Sequence, residues 1–189
     1  MNTFKIVLIF SISMLATMSS NGQKAKFGKV LMQELRDTVH AIEEEAGAAI
    51  LYQYGKREIK YNAATDRMES NTEVYRKIKI YKTEYVHLGE LEVLLYNSDE
   101  GVVERITSID AFAYNLNGNK IEKSRLPKGE IMTTKRSDYW TSNKFAIPNV
   151  KKGSVIEFKY KISSPLLCNL LWLRIFPMIS CLGPLFINA

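Results

Sequence analysis

Residues 154–162 read Ser-Val-Ile-Glu-Phe-Lys-Tyr-Lys-Ile, and this stretch decides the fold class. Apolar and charged side chains alternate along it, with Ile156, Phe158, Tyr160 and Ile162 set against Glu157, Lys159 and Lys161. Side chains on a β-strand point to opposite faces in turn, so the stretch predicts a strand with one apolar face and one charged, solvated face. Pro148-Asn149 and residues 151–154 supply the turn residues ahead of it.

Seven further segments carry strand signals, and turn residues separate them. They are residues 49–54, 57–61, 72–82, 90–96, 105–116, 120–124 and 144–147. Gly55-Lys56 and Asn117-Gly118-Asn119 are expected to form hairpin turns, because glycine and asparagine tolerate positive φ. A short helix is predicted at residues 30–36. The pattern predicts an all-β fold, an antiparallel β-sandwich with a short N-terminal helix and charged outer faces in contact with solvent.

The first 22 residues have the form of a secretory signal peptide. Lys5 supplies the positive start, residues 6–18 form an apolar run, and residues 19–22 are small or polar residues suited to a cleavage site before Gln23. A membrane span needs about 20 apolar residues, so this shorter run favours a cleaved signal over the alternative, an uncleaved anchor. We therefore expect the protein to be exported.

The composition changes abruptly after Ser164. Residues 165–189 contain a single charged residue, Arg174, and lack the alternation of the strands before them. We therefore divide the chain into a signal peptide at residues 1–22, a β-sandwich module at residues 23–164 and an anomalous apolar tail at residues 165–189. The tail is interpreted as a truncation or frameshift, which leaves the sandwich incomplete at its C-terminal end. The alternative, a membrane anchor at residues 166–187, is disfavoured by Arg174, Pro177 and Pro184, which are costly in a bilayer.

The charge distribution argues against a nucleic-acid partner. The chain has 26 basic and 20 acidic residues, and removal of residues 1–22 takes away only Lys5, which leaves a net charge of +5. The lysines alternate with glutamates along the strands, whereas a nucleic-acid site needs clustered lysine and arginine. The acidic runs at residues 43–45 and 99–100 are predicted to be solvated loops.

Few residues could carry chemistry. The chain has two histidines, His40 and His87, and two cysteines, Cys168 and Cys181, which both lie in the apolar tail. A zinc site needs three or four ligands, and the histidines lack the spacing of a zinc motif. We expect no catalytic residue, no cofactor and no metal, and a Cys168–Cys181 disulfide only if the tail folds.

Tyr139 and Trp140 are the candidate contact surface. They lie in a polar stretch, residues 135–144, that is predicted to connect two strands. An aromatic pair on a loop can form a stacking platform for a sugar or a peptide. The alternative is that the tryptophan ring packs under the edge of the sandwich.

Three parts of the sequence resemble a known bacterial domain. They are residues 27–52, which include Phe27-Gly28-Lys29-Val30 and Ala48-Ala49-Ile50-Leu51-Tyr52, the hairpin at residues 109–121, and residues 145–160. The last part is similar to the signature P-N-V-x-x-G-S-V-I-E-Y-x-Y, with Phe158 in place of a tyrosine. The domain is a module of unknown function at the N-terminus of exported transglutaminase-like proteins, found especially in Bacteroidetes.

The resemblance implies a β-sandwich that precedes a papain-like transglutaminase core. That core carries a Cys–His–Asp triad, and no position in this chain matches the triad. The expectation is therefore a non-catalytic exported module that binds or scaffolds, in the periplasm or outer envelope of a Gram-negative bacterium. Its partner would be a protein or glycan of the cell envelope. Two alternatives stay open: a detached subunit that pairs with a separate transglutaminase-like chain, and a membrane-anchored envelope protein.

The first prediction concerns export. Residues 1–22 should be absent from protein recovered from the periplasm or envelope, because their apolar run suits signal peptidase better than a stable span. N-terminal sequencing of that material should begin at Gln23. Envelope-derived protein that still begins at Met1 would contradict the prediction.

Overall fold

A computed structural model describes residues 25–98 and 101–167 and the backbone of residues 186–187. Its elements, in chain order, are α1 (Met32–Arg36), β1 (Ala48–Asn62), β2 (Arg67–Ile80), a 3-10 helix (Thr83–Gly89), β3 (Glu90–Tyr96), β4 (Arg105–Asn117), β5 (Lys120–Arg125), β6 (Met132–Lys135), β7 (Trp140–Ala146), β8 (Val155–Ser164) and β9 (Phe186–Ile187). Residues 1–24, which include the predicted signal peptide, the acidic pair 99–100, both cysteines and most of the apolar tail lie outside the described residues.

The strands form two sheets that pack face to face. The larger sheet has the order β5-β4-β8-β2-β1-β9, and the smaller sheet has the order β3-β7-β6. All pairs are antiparallel except β1 with β9, which run parallel at Ala49–Ile50. The core between the sheets is formed by apolar residues of both, among them Ile78, Leu91, Phe145, Ile156 and Phe158. The predicted all-β antiparallel sandwich is confirmed.

Several sequence predictions match the structure closely. Residues 90–96 form β3, with Leu91, Val93 and Leu95 buried on one face. The β4–β5 hairpin turns at Gly118-Asn119, where Gly118 has φ +58°. The four apolar residues of β8 are all buried in the core.

The predicted hairpin turn at Gly55-Lys56 is wrong. β1 runs without a turn from Ala48 to Asn62, and Gly55 lies opposite Val74 in the middle of the ladder. The chain turns at residues 63–66, where the Asn62 side chain accepts a hydrogen bond from the Ala64 N–H (3.0 Å) and Asp66 has φ +52°. Asparagine and aspartate stabilise turns in this way, so the chain reverses at residues 63–66. The isolated Gly55 remains within the strand.

The polar stretch at residues 135–144 is not a loop. It forms the end of β6, a tight turn and the beginning of β7, so the predicted strand at residues 144–147 is the last part of a longer one. β6 is a four-residue edge strand exposed along its whole length, and it therefore has no apolar alternation that a sequence pattern could reveal.

The prediction that the charged faces are solvated is wrong for the centre of the larger sheet. Residues 27–37 cross that face, and beneath them Glu157, Lys77 and Lys79 are 0%, 3% and 1% exposed. Phe27 contacts Tyr75 edge-on, with ring centroids 5.2 Å apart. We call residues 27–37 the N-terminal strap.

Polar contacts fasten the strap to the sheet. The Glu157 carboxylate accepts hydrogen bonds from the Gly28 N–H (2.7 Å) and from the hydroxyl groups of Tyr75 (3.0 Å) and Tyr114. Lys77 Nζ lies 2.8 Å from Glu34 Oε2 in α1. Because these charged groups are paired or hydrogen-bonded, their burial is tolerated.

The second prediction separates the two faces of β8. Phe158 is 2% exposed in the core, so Phe158→Ala should lower the free energy of unfolding by about 3–5 kcal/mol. Lys159 lies on the opposite face with a partly exposed ion pair to Glu73, so Lys159→Ala should cost less than about 1 kcal/mol. Urea unfolding measures both. Equal losses would show that the register of β8 is wrong.

The third prediction is a pH dependence of stability that Lys79 causes. Burial lowers the pKa of its ammonium group from 10.5 to about 8. Between these values the unfolded chain binds about one proton more than the native state, so the free energy of unfolding rises with pH, by up to about 1.4 kcal/mol per unit.

Urea unfolding between about pH 8 and pH 9.5 should therefore show a rise for the wild type and none for Lys79→Met. The exposed Lys128→Met variant is the matched control and should keep the rise. A rise of the same size in Lys79→Met would assign the effect to other groups. Higher pH is avoided because burial raises the pKa of Tyr75 and Tyr114, and their unfolded forms ionise near pH 10.0.

Candidate contact surface on the three-stranded sheet

The smaller sheet turns a mixed aromatic and charged face outward. Since Leu91, Val93 and Leu95 point into the core, the alternating residues of β3 point to solvent. The register places Tyr96 opposite Trp140 on β7 and Leu94 opposite Ser142. Cross-strand partners share a face of the sheet, so side chains from two strands meet on one surface.

The rings of Tyr139 and Trp140 pack around Tyr96. Tyr139 lies parallel to Tyr96, with centroids 6.2 Å apart, and Trp140 meets Tyr96 edge-on at 5.5 Å. Tyr139 is nevertheless 55% exposed and Trp140 38% exposed. The alternative of a tryptophan packed under the sandwich edge therefore does not describe this site. We call Leu94, Tyr96, Tyr139 and Trp140 the outer aromatic patch.

A tight turn holds the two predicted aromatic residues in place. The Arg136 N–H donates to the Trp140 carbonyl (2.8 Å), and the Tyr139 N–H donates to Ser137 Oγ (3.3 Å). The Tyr139 carbonyl in turn accepts a hydrogen bond from the Asn97 N–H (2.9 Å), just after β3. This bond fixes the turn to the end of β3 and brings Tyr139 to Tyr96.

A fixed pair of opposite charges borders the patch. Glu92 Oε1 accepts hydrogen bonds from Ser142 Oγ (2.5 Å) and from Arg136 Nη2 (2.7 Å). These two hydrogen bonds lower the pKa of Glu92 below its ordinary value of 4.5, and the bond from Ser142 has the larger effect. The carboxylate therefore stays charged at neutral pH, and the guanidinium is held beside it.

Two residues of the patch, Leu94 and Trp140, border a shallow depression of about 470 Å³ together with the charge pair. Its lining consists of Glu92, Leu94, Arg136, Ser137 and Trp140. A second depression of about 380 Å³ adjoins it on the same sheet and shares Glu92. Apolar walls with a few fixed polar groups, in volumes of this size, are typical of ligand sites.

Sequence reasoning named Tyr139 and Trp140 but missed the residues that complete the site. Tyr96, Leu94 and Glu92 are the outward positions of β3, and the alternation of that strand carried the signal. Arg136 had no comparable signal, because its role depends on the β6–β7 turn that the sequence did not reveal.

The other candidate residues are not brought together. His40 is buried and its Nδ1 accepts the Glu43 N–H, whereas His87 is exposed on the 3-10 helix, and Glu45 pairs with Lys82. In residues 25–98 and 101–167 no three His, Cys, Asp or Glu side chains are grouped so that they could hold a metal ion.

No helix among the residues that the structure describes is long and apolar enough to cross a membrane.

Comparisons with known proteins do not identify a family. No family model matches the sequence, and no curated protein matches it. Among solved structures, a putative protease from Parabacteroides distasonis ATCC 8503 is similar at a TM-score of 0.43 and 10% sequence identity. The match covers 62% of this chain and 23% of that one, so this chain spans about a quarter of its neighbour's length. Similarity at this level supports no argument about function.

Proposed function

We propose that this chain is a non-catalytic, exported β-sandwich module that binds a glycan of the cell envelope through the outer aromatic patch. The observation that carries the proposal is the exposure of Tyr139, in the β6–β7 turn, and Trp140, at the start of β7, with both rings packed around Tyr96. The resemblance to the N-terminal module of exported transglutaminase-like proteins supports the export and the role as a module.

Exposed aromatic rings favour ligand binding, because a ligand that covers the rings removes their apolar surface from water. Large apolar side chains that stay in solvent as a group are typical of binding sites. Tyrosine and tryptophan lose little conformational entropy on binding, because each has only two rotatable side-chain bonds. Their ring packing in the outer aromatic patch reduces that cost further, since the rings are already in place.

The polar groups beside the patch suit a sugar. A sugar ring presents apolar C–H groups on its faces and hydroxyl groups at its edge. The faces can pack on Trp140, while the edge hydroxyls can donate to Glu92 and accept from Arg136, which lie in the same depression. A stable protein partner needs about 800 Å² on each side, and a 470 Å³ depression around one tryptophan suits a ligand of a few sugar rings better.

The absence of catalysis is proposed from the residue inventory. A cysteine or serine nucleophile needs a base beside it that a third group orients. His40 bonds a backbone amide in a buried site and His87 a backbone carbonyl at the surface. The site at Trp140 contains neither histidine.

The fourth prediction tests the glycan site by calorimetric titration with soluble glycan fragments of peptidoglycan. Trp140→Ala should weaken binding at least about tenfold, because an aromatic side chain that the ligand buries carries much of the binding energy. Tyr54→Ala is the matched control: Tyr54 is 39% exposed, almost the same as Trp140, but lies on the larger sheet. This variant should bind as the wild type does.

Two results would overturn the glycan site. One is wild-type protein that binds no glycan fragment, and the other is equal affinity of Trp140→Ala and the wild type. Trp140→Phe keeps a ring and should retain part of the affinity, which separates loss of the contact from loss of the fold. Circular dichroism of each variant checks that the sheets are intact.

A further inference from the structure

Among the residues that the structure describes, most of the outer edge of β1 has no partner strand. β9 pairs with it only at Ala49 and Ile50, and along residues 53–62 no described strand lies on that side. A β-bulge between Ile50 and Tyr52 separates the two parts. An open edge presents a row of backbone donors and acceptors with which another strand can pair.

Apolar side chains stay exposed at the same end of the sheet. Ile59, Tyr61 and Met68 are 51%, 59% and 46% exposed. Tyr61 lies opposite Met68, and in the same ladder Gly55 lies opposite Val74, a core residue. The three exposed side chains therefore continue the core face of the larger sheet beyond the point where the smaller sheet covers it.

The opposite face of the same segment carries alternating charges. Glu58 lies between Lys56 and Lys60, at 2.6 Å and 2.9 Å from their Nζ atoms. The hydrogen bonds from these two lysines lower the pKa of Glu58 to about 2, so its carboxylate is charged at neutral pH. Charged residues on an edge strand keep out most partners.

We propose that the β1 edges of two copies of this chain pair antiparallel, about a two-fold axis at Ile59. The axis is perpendicular to the sheet, so the core faces of both copies lie on the same side. The interaction is independent of the glycan site, which lies on the other sheet.

Charge selects this register. An axis at residue 56, 57, 58 or 60 places a charged residue opposite itself, and directly opposed like charges destabilise a strand pair. An axis at Ile59 instead places Glu58 opposite Lys60 of the second copy, and Lys60 opposite Glu58 of the second copy. In this register Glu58 and Lys60, which would oppose like charges in other registers, face residues of opposite charge.

The apolar face supports the same register. Ile59 meets Ile59 of the second copy on the axis. Tyr61 lies opposite Arg57 of the second copy, whose guanidinium donates to Ser70 Oγ and to the carbonyls of Leu166 and Leu167 in its own chain. Seven residues of each chain, 56–62, are paired. The interface is far smaller than that of a stable dimer, so the association is weak and depends on concentration.

The fifth prediction is a charge swap read by sedimentation velocity, on protein purified from cells that express the full chain. The wild type should dimerise as its concentration rises toward about 500 µM, the range expected for an interface this small. Glu58→Lys and Lys60→Glu each oppose like charges and should weaken dimerisation at least about tenfold. The double variant E58K/K60E opposes unlike charges again and should return to within about threefold of the wild type.

Each of the other outcomes contradicts a different part of the proposal. A wild type that stays monomeric would show that the chain does not dimerise. Single variants that dimerise as the wild type does would show that the β1 edge is not the interface. Single variants that weaken dimerisation without rescue by the double variant exclude the axis at Ile59. Trp140→Ala should dimerise as the wild type does, so failure of the glycan site and failure of the dimer are distinguishable. Circular dichroism confirms that each charge variant is folded.

Discussion

The Glu157 carboxylate has no exposed surface, and the architecture around it follows from the need to stabilise it there. An isolated buried charge costs several kcal/mol unless donors replace the lost water. The donors come from three separate parts of the chain: Tyr75 on β2, Tyr114 on β4 and the Gly28 amide of the N-terminal strap. Burial raises the pKa of both tyrosines, so they remain neutral donors. One side chain of the central strand thus joins both neighbouring strands and the N-terminal strap.

The N-terminal strap gives the sandwich a partial third layer. Leu35 packs with Tyr114 and Val155, while Lys79 donates to the carbonyls of Leu35 and Gly153. The larger sheet is therefore covered on one face by the smaller sheet and on the other, at its centre, by the N-terminal strap. Among the described residues, nothing covers the outer face of the smaller sheet or the β1 edge at residues 53–62, and the two proposed contacts lie on these surfaces.

The sequence was most informative where the apolar residues of a strand alternate toward the core, as they do in β3 and β8. It failed where a distant segment decides burial: the alternation around Glu157 was correct, but no local pattern shows that residues 27–37 cover its charged face. Gly55 illustrates a second limit, because the residue is permissive in a turn and in a strand, and only the pairing with Val74 decides between them. Tyr139 and Trp140 were found as an aromatic pair, whereas Tyr96 joins them through the register of β3 and β7.

The position of β8 has a consequence for how the chain reaches this structure. β8 lies between β2 and β4 in the sheet, yet it is synthesised after both, and Gly28 and Glu157 are 129 residues apart. The centre of the larger sheet cannot assemble until the chain has been synthesised as far as residue 164, because β2 and β4 each pair with β8 and not with each other. Topologies of this high contact order fold slowly and expose unpaired strands while they do so. Until β8 has been synthesised, β2 and β4 each have an unpaired edge that can form non-native strand pairs.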